Sequence, residues 1–138
     1  MKKVSEVMTR EVLVAAPDQT IGDAAAAMAD ADVGSLPVAD NDRLIGMITD
    51  RDIVVRAVAR GRDAKTPVRE VMTDHIRYCY EDQDVQEVAA NMADLCIRRL
   101  PVVNREKRLV GYIALSNIAQ GGDGRSQETL LRGVATPH

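Results

Sequence analysis

Phenylalanine and tryptophan are absent from the 138 residues, and tyrosine occurs only at Tyr78, Tyr80 and Tyr112. Without aromatic platforms the chain lacks what single-stranded nucleic acid stacks upon. A surplus of basic residues is also missing: a net charge of −3 argues against broad binding to a phosphate backbone, which needs a basic surface. Apolar runs extend over a few residues only, so no segment reads as a membrane span. The basic pair in MKKVSEVM has no apolar region behind it, which argues against a signal peptide. Cys79 and Cys96, the two cysteines, match no metal or redox spacing and read as reduced thiols of a cytoplasmic protein. What remains is an aliphatic chain long enough for one compact unit or two very small ones.

The chain is written twice. VSEVMTREV, from Val4, returns as VREVMTDHI, from Val68, and AAAAMADADVGSLPVAD returns as VAANMADLCIRRLPVVN in the same register. RLIGMI at Arg43 returns as RLVGYI at Arg108, with one extra residue in the turn before it. The copies divide the chain into domains at 4–66, its linker starting near 60, and 67–120. Residues 121–138 form a polar tail whose composition predicts flexibility.

Each copy carries the same pattern. A short N-terminal turn leads into a β-prone run, Val12 to Ala15 or Ile76 to Tyr80. A helix follows, with Ile21, Ala24, Ala25 and Met28 on one face, or Val85, Val88, Ala89, Met92 and Leu95. Thr20 with Asp23, and Asp84 with Glu87, mark its start. LPVAD and LPVVN read as strands opened by proline, Asp40-Asn41-Asp42 as a turn, and Leu44 to Ile48 as a further strand. Asp50 to Arg60 closes the first copy as a second helix, with Ile53, Val54, Ala57 and Val58 inward and Gly61 as its stop. The order is β-α-β-β-α in an α+β (α/β) fold. About 55 residues make a marginal core alone, so the copies are expected to pack on each other about a pseudo-twofold axis, creating two equivalent clefts.

The segment GMITDRD, Gly46 to Asp52, carries the chemistry. It runs from a strand end into a helix start, with Thr49 or Asp50 as N-cap. Unpaired N–H groups there suit a phosphate, Arg51 adds a cation, and the Asp52 carboxylate can accept two hydrogen bonds from vicinal hydroxyls. Gly46 permits close approach of another chain segment or a ligand. On spacing alone, a Thr-x-x-Asp is a common helix cap and nothing more. In the second copy GMITDRD becomes GYIALSN: Ala114 replaces Thr49 and Asn117 replaces Asp52.

The duplicated order, VMT before the first strand, LPV opening the second and G-h-h-T-x-x-D at the second helix resemble the CBS domain family, over residues 4–119. A tandem pair of such domains is a Bateman module. The resemblance implies a regulatory module that binds AMP, ADP, ATP or S-adenosylmethionine between the repeats and signals to a partner protein. Thr49, Asp50, Arg51 and Asp52 would hold ribose and phosphate. His75, Ile76 and Arg77 with Ile97, Arg98, Arg99 and Pro101 would receive the base, the arginines favouring a polyphosphate. The second cleft, with Ala114, Ser116 and Asn117 facing Glu11, Val12, Leu13, Val33, Gly34 and Ser35, is expected to be degraded. Losing one charged hydrogen bond costs roughly 1.5–3 kcal/mol, one to two decades of affinity. Family members self-associate through their helices, which implies a homodimer.

Neither His75 nor His138 stands in a metal-ligand spacing, and no Gly-rich phosphate loop or nucleophile elbow occurs. The repeats leave no room for a catalytic domain, so no enzyme activity and no catalytic cofactor are expected. The competing reading is a ligand-independent dimerisation module with vestigial clefts.

Overall fold

The computed structural model describes residues 2–121; the tail expected to be flexible lies, apart from Gly121, outside them. Contacts divide the chain into two units: one is Leu13–Ile76, the other joins the segment ending at Val12 to the chain from Arg77 onward. These boundaries differ from those of the repeat because each unit takes its opening turn from the other copy.

In the first unit, helix α1 (Ile21–Ala31) is capped by Thr20, whose hydroxyl accepts from the Asp23 N–H at 3.1 Å. It buries Ile21, Ala24 and Met28, whereas Ala25 is exposed. Four consecutive alanines carry no pattern of their own, so sequence alone places that face one residue too wide. Strands β1 (Ser35–Asp40) and β2 (Arg43–Thr49) pair antiparallel, and Asn41 and Asp42 turn between them with φ of 51° and 67°. Two positive φ values are what a tight hairpin needs to match strand twist. The β-prone run from Val12 to Ala15 shrinks to one bridge, Ala15 to Val38.

The run after β2 is helical but irregular. It starts as α2 (Asp50–Asp52), widens to a π-helix over Ile53–Ala57, tightens to a 3-10 turn over Val58–Arg60 and stops at Gly61, φ 75°. Ala57 is fully buried and Ile53 half-buried, while Val54 and Val58 are 58% and 66% exposed. The expected apolar face is therefore corrected. Widening the turn to i→i+5 bonding breaks the 3.6-residue register that puts 54 and 58 beside 53 and 57.

The core is completed by VREVMT. Val68 and Val71 are fully buried among Ala15, Ile21, Leu36, Val38 and Ile48. Thr73 then docks on β2 by reciprocal backbone bonds: Met47 N–H donates to its carbonyl at 2.9 Å, and its own N–H donates to the Met47 carbonyl at 2.8 Å. A Cβ at Gly46 would lie 2.8 Å from the Thr73 carbonyl, so the glycine permits this approach.

The second unit repeats the plan. Strand β3 (Cys79–Tyr80) runs parallel to β4 (Arg99–Val103), which pairs antiparallel with β5 (Leu109–Ala114). Helix α3 (Val85–Leu95), capped by Asp84, buries Val85, Val88, Ala89 and Met92. Leu95, expected on that face, is 42% exposed at the last turn. Helix α4 (Leu115–Gly121) follows β5. Val4, from the first copy, is fully buried in this core, and Thr9 docks on Tyr112 as Thr73 docks on Met47.

Candidate functional site

At the end of β2, Thr49 and Asp52 satisfy each other. The Thr49 hydroxyl accepts from Asp52 N–H at 3.0 Å, and Asp52 Oδ2 accepts from Thr49 N–H at 3.1 Å, a reciprocal capping box. The structure thus realises the plain cap that the spacing suggests. Asp52 has further partners. The Thr73 hydroxyl lies 3.3 Å from Oδ1 and 3.4 Å from Oδ2, and Arg56 Nε lies 3.8 Å from Oδ1. Arg56 also donates to the Met72 carbonyl at 3.1 Å. The Asp52 side chain is only 13% exposed, so it is a largely buried carboxylate whose Oδ1 is lightly used. A carboxylate offers about four acceptor positions, so the Thr49 N–H and the single Thr73 hydroxyl hydrogen leave Oδ1 able to accept more.

Asp50 is exposed and its Oδ1 accepts from Arg51 N–H at 2.8 Å. Its backbone N–H donates to the Gly34 carbonyl at 2.9 Å, and a Cβ on Gly34 would lie 3.1 Å from Asp50 Oδ2. Ser35 pairs with Thr49. Gly34 and Ser35, and with them the half-buried Val33, therefore share the first unit with Thr49–Asp52. His75 and Ile76 end the same unit; His75 is exposed beside Asp74.

Arg77, Ile97, Arg98, Arg99 and Pro101 belong to the second unit, as do Val12, Ala114, Ser116 and Asn117. Ile97 packs against the core, and the Arg98 carbonyl accepts from Leu115 N–H at 3.1 Å. The Arg99 guanidinium sits 5.0 Å from the Tyr112 ring centroid, and Pro101 is buried in β4. Asn117 copies the cap: its Oδ1 accepts from Ala114 N–H at 3.0 Å. The polarity of the next bond is inverted, because Asn117 Nδ2 donates to the Thr9 hydroxyl at 3.2 Å. Ala114 is buried and supplies no hydroxyl, and Ser116 is exposed.

Sequence reasoning missed Thr73, Arg56 and Thr9. VMT recurs near the start of both copies, and that recurrence was the available signal. It also missed a cavity of about 230 Å³ in the second unit, between the Lys3–Ser5 turn and the turns at Tyr80–Asp82 and Asn104–Arg105. Arg105 grips Asp82 there with two hydrogen bonds of 2.8 and 2.9 Å and stacks 4.1 Å from the Tyr80 centroid. The guanidinium holds the Asp82 carboxyl below its ordinary range. Among the described residues no three metal-ligating side chains converge, and no helix is long and apolar enough to cross a membrane.

Comparison with known proteins gives one consistent pattern. The sequence model of the CBS domain matches residues 4–58 and again 68–121. The CBS domain-containing protein YhcV of Bacillus subtilis is 41% identical over 119 residues, covering 86% of this chain and 84% of that protein. Hypoxic response protein 1 of Mycobacterium tuberculosis is 37% identical over 139 residues, 99% and 96% of the two chains. Inosine-5'-monophosphate dehydrogenase of Methanocaldococcus jannaschii is 38% identical, but this chain spans only 28% of it. Among solved structures, Hypoxic Response Protein I with two coordinated zinc ions superposes with a TM-score of 0.76 at 35% identity, over 88% of this chain and 99% of that one. The CBS domain pair of protein MJ0100, in complex with 5′-methylthioadenosine and S-adenosyl-L-methionine, gives 0.70 at 28% identity, over 87% and 94%.

Proposed function

The chain belongs to the CBS domain family, and from that premise we propose that it is a regulatory module that binds an adenosyl compound (AMP, ADP, ATP or S-adenosylmethionine) and passes its occupancy to a partner protein. The observation that carries this is the largely buried Asp52 carboxylate with Oδ1 lightly used, in a segment that keeps Thr49 as well. Two adjacent ribose hydroxyls are donors of the right spacing for one carboxylate. The complex of the MJ0100 pair with two adenosyl compounds supports the ligand class. Within this proposal the second repeat, with Ala114, Ser116 and Asn117, is a weak site. The module acts as a homodimer in the cytoplasm and has no catalytic role.

Thermal unfolding with excess AMP, ADP, ATP or S-adenosylmethionine tests the reading. A ligand at a hundred times its Kd adds about 2.7 kcal/mol, several degrees in Tm for this size. A rise with at least one compound that is lost in Asp52→Asn is expected; no rise with any of them overturns the proposal. A second reading, a ligand-independent dimerisation module, is favoured by one observation: Thr49 and Asp52 already satisfy each other as a cap.

A further inference from the structure

The Asp52 carboxylate is held from two directions that the sequence motif does not connect. The cap fixes Oδ2 through Thr49 N–H at 3.1 Å. The hydroxyl of Thr73, 21 residues further along the chain, straddles both oxygens at 3.3 and 3.4 Å. A hydroxyl has one hydrogen to donate, so at these distances it steers the carboxylate plane and leaves Oδ1 able to accept more. Where that hydroxyl stands is decided elsewhere. Thr73 is pinned to Met47 by the reciprocal backbone pair, over a glycine that admits no side chain at position 46. Arg56 adds a brace, bonding the Met72 carbonyl while its Nε faces Asp52 Oδ1 at 3.8 Å.

We propose that Thr73 is a positioning residue for ligand recognition: its hydroxyl holds the Asp52 carboxylate in the orientation that receives ribose hydroxyls, so affinity for an adenosyl compound depends on the docked VMT segment. This rests on the adenosyl reading given above. The second unit supplies an internal control. There Thr9 accepts from Asn117 Nδ2 rather than donating to a carboxylate, so Thr9 orients no charged acceptor.

The test is calorimetric titration of the full chain with AMP, ADP, ATP and S-adenosylmethionine, each separately, for wild type, Thr73→Val, Thr73→Ser, Thr9→Val and Asp52→Asn, each with its unliganded Tm. Thr73→Val keeps the shape and the backbone bonds while removing the hydroxyl. It is expected to weaken binding about tenfold, with Thr73→Ser recovering to within about twofold. Thr9→Val is expected to bind as wild type does. A purely structural Thr73 would move Tm and leave Kd alone. Wild-type affinity in Thr73→Val alongside lost binding in Asp52→Asn overturns this proposal and spares the adenosyl reading. Loss in Thr73→Val without recovery in Thr73→Ser also overturns it, since packing rather than the hydroxyl would then be responsible. No binding of any of the four compounds to wild type overturns both.

Discussion

Asp52 and Asn117 perform the same cap with different side chains, each accepting from the backbone N–H three residues before it. The capping role of Asp52 and its proposed role in recognition are therefore separable. Asp52→Asn keeps a cap that the second repeat already uses, so it should cost less unliganded stability than Asp52→Ala. Asp52→Ala leaves the Thr49 N–H and the Thr73 hydroxyl without their acceptor and should cost about 1–3 kcal/mol. Denaturant titration distinguishes the two. The cysteines differ as sharply. Burial pushes the Cys79 thiol up to about 12, while Cys96 is half-buried at the end of α3. One thiol per chain should react with a thiol reagent at pH 8, and a second only after unfolding. Because the folded Cys79 holds its proton more tightly than the unfolded one, its stabilising contribution is complete below about pH 9. It is lost as pH rises toward about 12. Cys79→Ala should flatten that alkaline decline in Tm, and an unchanged decline would contradict it.

At the scale of elements, legibility followed the strength of the local pattern. Burial alternates along β2 with Leu44, Gly46 and Ile48 inward, and the β1–β2 turn announced itself through Asn41 and Asp42. The first β-prone runs read longer than they are, because only Ala15, or Cys79 and Tyr80, find a partner strand. The helical run after Asp50 was visible, but its widening over Ile53–Ala57 was not, since i→i+4 and i→i+5 bonding leave the same composition. That widening leaves Val54, Val55 and Val58 exposed together. In the homodimer reading these valines supply the apolar contact. Replacing Val54 and Val58 by lysine should shift sedimentation from dimer to monomer; a monomeric wild type would contradict the reading. Likewise Gly46→Ala sets a methyl 2.8 Å from the Thr73 carbonyl and 2.9 Å from Met72 Sδ. The VMT segment must then shift, and Tm should fall by several degrees.

Over the whole molecule, the repeat seen in the sequence and the units seen in the structure are out of phase. Val4 belongs to the first copy yet is fully buried with Val85, Val88 and Met92 of the second, and Val68 is buried with Ile21 and Leu36 of the first. Repeat detection aligns like with like and carries no information about which copy an N-terminal turn packs on; Thr73 was missed as a neighbour of Asp52 for that reason. Val4→Ala should cost about 1–3 kcal/mol, and its lost hydrogen-exchange protection should fall on the amides of Val102 and Ile113 rather than on those of β1 and β2. Adenosyl recognition by one repeat is tested most directly by titrating AMP, ADP, ATP and S-adenosylmethionine into the wild type and into Asp52→Asn. One bound molecule of at least one compound per chain in the wild type, abolished or weakened at least about tenfold in Asp52→Asn, is the predicted result. Equal binding by the two proteins, or none by either, would contradict it.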